Sequence, residues 1–197
     1  MSKRNTKEEI ILATLELAAE NGLGSVSMQQ IADRVGIRKA SLYNHYQSKD
    51  EIVEAMYGTI RQASKDRASI SDTDYDALVN GHTLREVLTE AVGSYKRIVD
   101  DPQMNLFYRV VMNERTVSPV AAEIMVKETR TMIDATADLF RVLQNRNMAA
   151  FRDVDSAAFY FAMAVHSAID YCFDLMSSGE DDGENLMASV IDEFCRL

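Results

Sequence analysis

A chain of 197 residues with a formal net charge of −10 has room for one substantial core, or for a small domain docked on a larger one. Its two cysteines, Cys172 and Cys195, share no metal-ligand or CxxC spacing, so they read as small buried side chains in a reduced, cytoplasmic protein. The opening Met1-Ser2-Lys3-Arg4-Asn5-Thr6 leads straight into charged residues instead of a signal sequence, and the most apolar run, Ala157–Val165, is too short to cross a bilayer.

In chain order, Thr6 and Glu9 form a capping-box pair that predicts the start of a first helix. Ile11, Leu15 and Ala18 recur at helical spacing, and Asn21-Gly22 closes the segment. Lys3, Arg4 and Lys7 either reach phosphates or belong to a solvated, frayed terminus. Ser27 and Gln30 form the next capping box, opening a helix with Ile31 and Val35 as its apolar stripe and Ala32 as a gap for close approach. Gly36 supplies the left-handed residue that ends this helix and turns the chain. A short third helix then carries Leu42 and Tyr46 inward at i, i+4, with Lys39, Tyr43 and Asn44 outward and Ser41 and His45 on the flanks. Ser48 through Glu51 is a third capping box, opening a fourth helix lined by Ile52, Val53, Met56 and Ile60.

Residues 66–82, rich in Ser, Asp and Gly, read mostly as a connection. Thr83 and Glu86 cap a helix running through Leu84, Val87, Leu88, Ala91 and Val92 to about Asp100. The only prolines, Pro102 and Pro119, follow Asp101 and Ser118 and suit the first position of new helices. The first of these carries Leu106, Phe107, Val110 and Val111; the second, longer one carries Val120, Ile124, Met132, Ala135, Leu139 and Val142. From about Asp155 to Met176 a helix is apolar nearly all round, which demands burial on more than one side. After a break at Ser177–Gly183, a last helix shows Met187, Val190, Ile191 and Phe194. No strand alternation or Asn-Gly hairpin signal interrupts this pattern, so the fold class is all-α.

A buried helix, a glycine turn and a helix with a basic, hydrogen-bonding outer face together read as a helix-turn-helix. Helix–Gly–helix corners also occur in all-α proteins that bind no nucleic acid. The wider context is more specific: residues 6–56 as a block resemble the N-terminal DNA-binding domain of TetR-family transcriptional regulators. The matches are Ile10 through Gly22, the segment Ser27…Ile31-Ala32…Val35-Gly36, then Leu42-Tyr43-Asn44-His45-Tyr46 and Ser48-Lys49. They cover about the first quarter of the chain; the remainder is similar in length and helical character only. With the helix pattern, the resemblance implies a three-helix DNA-binding domain at 1–48, a connecting helix at 49–67, and a helical effector-binding and dimerisation domain at 68–197. It also implies a homodimer formed by the last two helices, for which an ordinary intramolecular core is the alternative.

By the same resemblance Ser27, Tyr43, His45 and Lys49 match positions that hold phosphates, and backbone N–H groups at the start of the Lys49 helix can add to anion binding. Arg38, Lys39, Ser41 and Asn44 are the candidate base readers, since Arg and Lys suit guanine and Asn suits adenine in the major groove. Arg38 departs from the family pattern, which has Ser or Thr there: a helix cap is lost, and a charge is added that reads a base or holds a phosphate. One recognition helix reads little sequence, so a dimer on a palindromic operator is expected, with half-sites about 34–36 Å apart or a multiple of that.

The charge distribution agrees. Residues 1–49 hold seven Lys/Arg against five Asp/Glu, leaving a balance of −12 on the rest, and DNA affinity follows the local basic face rather than the total. In the body, Met and aromatic side chains build either adaptable pocket walls or plain helical core. Phe107, Met132 and Met163 are the candidate wall residues for a small-molecule effector. His166 and Asp170, at i, i+4, either orient a polar group of that ligand or pair at the dimer seam. No nucleophile with an adjacent base, phosphate loop or metal-ligand spacing stands out, so neither an enzyme nor a cofactor is expected. The expected function is ligand-responsive transcriptional regulation, as a repressor. Control by a protein or nucleic-acid partner, without a small-molecule pocket, is the alternative.

Overall fold

The computed structural model describes residues 5–68, 74–180 and 183–196, and every element longer than a turn among them is a helix. Helix α1 spans Thr6–Asn21 and ends at Gly22, whose φ of 77° admits no ordinary side chain without strain. A single 3₁₀ turn, Leu23–Ser25, leads to α2 (Met28–Val35), α3 (Lys39–Tyr43) and α4 (Lys49–Ala68). Then follow α5 (Tyr75–Val79), α6 (Leu84–Asp100), α7 (Pro102–Glu114), α8 (Pro119–Asn145), α9 (Val154–Ser178) and α10 (Gly183–Phe194).

Most helix starts obey the local chemistry. Thr83 N donates to Glu86 Oε2 at 2.7 Å while Glu86 N donates to Thr83 Oγ1 at 3.3 Å, a complete capping box on α6. Asp101 Oδ1 accepts from the N–H groups of Gln103 and Met104, both at 3.1 Å, with Pro102 in the first turn of α7. Ser118 Oγ accepts from Ala121 N at 3.3 Å and caps α8.

Three expectations need correction. The Thr6 capping box does not form, because α1 takes Thr6 as its first residue; Asn5 is the N-cap and makes no side-chain cap bond. At α4, Ser48 Oγ accepts from Glu51 N at 3.1 Å, but the Glu51 carboxylate reaches back to the Gln47 N–H, one residue earlier than a regular box. Within 66–82, α4 continues through Ala68 and Asp74 caps the five-residue α5; positions 69–73 lie outside the described residues.

The chain folds as two compact units, Met1–Ala68 with Ile98–Lys127, and Ser69–Arg97 with Glu128–Leu197. In the first unit Ile10, Leu15, Ile31, Leu42, Ile52 and Met56 are almost fully excluded from water, and Phe107, Val110 and Val111 of α7 join the same core. The Phe107 ring stacks on Tyr57 of α4, centroids 6.2 Å apart. The first four helices thus bury their apolar faces partly against α7, which begins only at Pro102, well after α4 ends at Ala68.

In the second unit Phe140 lies flat on Phe151 at 4.5 Å, and Phe194 of α10 meets Phe161 of α9 edge-on at 4.8 Å. On α9, Phe161, Ala162, Val165, Ala168 and Ile169 are buried, whereas Phe159, Tyr160 and Tyr171 are 46%, 66% and 53% exposed. A single chain therefore covers only part of this apolar helix. At 100° per residue Tyr160, Ser167, Tyr171 and Asp174 fall in one stripe, and all four are exposed.

Candidate nucleic-acid interface

The scaffold of the interface is set by α2. Ser27 Oγ accepts from Gln30 N at 3.3 Å and Gln30 Oε1 accepts from Ser27 N at 2.8 Å, so the predicted capping box is complete. Ile31, Ala32 and Val35 are buried, and Gly36 adopts φ 76°, ψ 34°, letting its own N–H and that of Ile37 return to the Ala32 carbonyl. Arg34 then ties α2 to α1. Its guanidinium meets Glu20 at 3.2 and 2.8 Å and Glu16 at 3.1 Å. These bonds hold the Glu20 carboxyl below the usual carboxylate range and raise the guanidinium further.

Helix α3 follows as a piece of five residues, roughly 7–8 Å long, which suits a major groove about 12 Å wide. Arg38 stands at its N-cap position in extended conformation with no side-chain cap bond, so the cap that Ser or Thr would supply is absent. Leu42 and Tyr46 are buried, 0% and 5% exposed, which roots the helix in the core. Helical turning continues past α3, with the N–H groups of His45 and Tyr46 donating to the Leu42 carbonyl at 2.9 and 3.0 Å. The opposite side carries Arg38, Lys39, Tyr43 and Asn44 in the open and Ser41 and His45 half-buried.

Charge availability separates the cations. Arg34 is neutralised by two carboxylates, and Lys7 sits over the Tyr46 ring at 5.6 Å. The Lys49 ammonium donates to the carbonyls of Leu23, Val26 and Gly24 at 2.7, 3.2 and 3.4 Å. Its three donors all have acceptors inside the fold, so a phosphate contact by this side chain has to displace one of them. Among the described residues of 5–49, Arg38 and Lys39 remain as cations without an internal partner. Lys3 and Arg4 lie outside the described residues.

Two contacts here had no local signature. Glu114, the last residue of α7, accepts from Leu23 N at 2.9 Å and Gly24 N at 3.4 Å. The bond spans ninety-one positions and the Arg34–Glu20 pair fourteen, so only knowledge of which helices meet reveals them.

The candidate effector residues fall in both units. Phe107 belongs to the core of the first unit. In the second unit Met132 lines a cavity of about 20 Å³ with Ala91, Val92, Thr136, Leu139, Phe161, Ala162 and Val165. Met163, His166 and Asp170 are half-buried on α9 and are not part of this lining. The one polar side chain in the wall, Thr136, donates its hydroxyl to the Met132 carbonyl at 2.8 Å.

Comparison with known proteins agrees with this geometry. A model of the family described as "Bacterial regulatory proteins, tetR family" matches residues 10–56. The HTH-type transcriptional activator FasR of Mycolicibacterium smegmatis is 27% identical over 170 residues, 81% of this chain and 69% of its own. The HTH-type transcriptional repressor KstR2 of Rhodococcus jostii is 25% identical over 166 residues, 76% of this chain and 80% of its own. Salmonella enterica GusR superposes over 100% of this chain and 98% of its own with a TM-score of 0.73 at 18% identity, a likeness of fold. No described helix is long and apolar enough to cross a membrane. Residues 10–56 thus carry the helix-turn-helix domain of the TetR family of bacterial regulatory proteins, set in an all-helical fold.

Proposed function

We propose that the chain acts in the cytoplasm as a homodimeric repressor that reads a palindromic operator through α3 and is released from it by a small-molecule effector. The observation that carries this reading is the segregation on α3: Leu42 and Tyr46 in the core, with the unpartnered Arg38 and Lys39 beside Asn44 on the outside. In that arrangement Arg38, Lys39, Ser41 and Asn44 read base edges, while Ser27, Tyr43 and His45 hold phosphates and fix register. The exposed stripe of Tyr160 and Tyr171 on α9 supports pairing with a second copy, which the reading of two half-sites requires. Resemblance to one relative described as a repressor and another described as an activator makes the sign of regulation part of the test.

The test is selection of bound sequences from a genomic fragment library at physiological and at raised salt. Enrichment of a palindrome whose half-sites lie about 34–36 Å apart, or a multiple of that, is the expected result. Binding without sequence enrichment at either salt overturns it. The selected site then serves as a probe for compounds that release the protein.

A second reading is control by a protein or nucleic-acid partner; the cavity beside Met132, about 20 Å³, holds no more than a water or so, which leaves an effector no ready room at that place. A thermal-shift panel of metabolites and drugs separates the two. A saturable rise with some compound supports the effector, and a flat panel together with operator binding favours the partner.

A further inference from the structure

The turn between α1 and α2 is held from both sides. On its N–H side, the Glu114 carboxylate at the end of α7 takes the amides of Leu23 and Gly24 at 2.9 and 3.4 Å. On its carbonyl side, the Lys49 ammonium at the start of α4 takes Leu23, Val26 and Gly24 at 2.7, 3.2 and 3.4 Å. Val26 directly precedes Ser27, the cap of α2, so the position of this turn sets where α2 begins and hence where α3 is presented. With glycines at 22 and 24, the turn has little stiffness of its own.

The placement of the two charged residues is a second argument. Lys49 is a cation at a helix N-terminus, and Glu114 is a carboxylate at a helix C-terminus. Each stands at the end that the helix dipole disfavours for its charge. Each is offset by backbone groups of the same α1–α2 connection, within residues 23–26, in charge-assisted bonds that are stronger than neutral ones.

We propose that Glu114 and Lys49 are positioning residues for DNA binding, a two-sided clamp on the α1–α2 turn, and that Lys49 serves this chain as an internal ligand instead of a phosphate contact. The proposal rests on the DNA-binding reading above. It makes Glu114, far outside the helix-turn-helix in sequence, part of the DNA-binding machinery.

The experiment uses the full chain with Glu114→Ala, Glu114→Gln and Lys49→Met. Duplex affinity is measured across salt concentrations, and amide hydrogen exchange is followed at Leu23 and Gly24. Glu114→Ala is expected to weaken operator binding roughly tenfold, the loss of about one hydrogen bond, with an unchanged salt slope. Glu114→Gln, whose amide oxygen still accepts, is expected to recover most of that affinity. Lys49→Met is expected to weaken binding without flattening the slope. A slope reduced by about one in Lys49→Met identifies a phosphate contact and overturns its part of the clamp. Wild-type affinity in Glu114→Ala overturns the role of Glu114. Should Glu114→Ala fail to fold, Glu114→Asp, one methylene too short, carries the same test. If the wild-type protein binds no duplex, the DNA reading fails, yet exchange still decides the clamp: faster exchange at Leu23 and Gly24 in Glu114→Ala supports it, and equal exchange refutes it.

Discussion

At the scale of single residues, the interface divides side chains by what the fold has already done with their charge or hydrogen-bonding capacity. Arg34 and Lys49 are spent on internal acceptors, while Arg38 and Lys39 are not. In the proposed function, base reading therefore concentrates at the N-terminal end of α3, with Asn44 at the other end. Arg38→Ala and Asn44→Ala should each relax specificity at a defined operator position by about 1–3 kcal/mol. Affinities measured against single-base operator variants check this. If every variant site is discriminated as well as before, those side chains are not in the groove. The helix–turn–helix corner itself was legible from Gly36 and the Leu42–Tyr46 spacing. The commitment of Lys49 was not, because its partners at 23, 24 and 26 are set by tertiary packing.

At the scale of elements, caps explain why so many helix starts were readable. Ser27, Thr83, Asp101 and Ser118 each satisfy orphan N–H groups within a few residues, so a local pattern suffices. Helix α5 escaped notice because five residues are too few to show a period. The membership of α7 in the core of the first unit was illegible for a different reason: an amphipathic pattern shows that a helix packs, without showing against what.

The α1–α2 tie has a pH signature. The pKa of Glu20 is lowered from the ordinary 4.5 by its hydrogen bonds to Arg34, so its contribution to stability is present above that value and fades as pH falls through and below it. Both side chains are exposed, so the effect is small. Thermal unfolding of wild type and Glu20→Gln should show a gap at neutral pH that closes under acid conditions. A gap that stays constant from neutral to acid pH would show that the pair's charge is irrelevant.

At the scale of the whole molecule, the net charge of −10 coexists with DNA binding because residues 1–49 carry the positive balance and the rest carries the negative one. In the proposed function the exposed α9 stripe is the surface that pairs with a second copy. Tyr160→Asp combined with Tyr171→Asp should turn the sedimenting species into a monomer and weaken operator binding while leaving helix content intact. A dimer that survives both changes would place the interface elsewhere.

The small cavity also carries a statement about time. Sites for drug-sized ligands run to about 300–1,000 Å³, whereas the space beside Met132 is about 20 Å³, so an effector bound there must wait for helices of the second unit to part. The open arrangement is then a minority species, and apparent affinity falls in proportion to its rarity: one molecule in a hundred open costs a hundredfold in Kd. With opening slower than capture, the observed association rate should level off as effector concentration rises, and stopped-flow mixing would show the plateau. In the proposed effector-released function the plateau value is the opening rate itself, so the response would be timed by the protein and not by the supply of the signal.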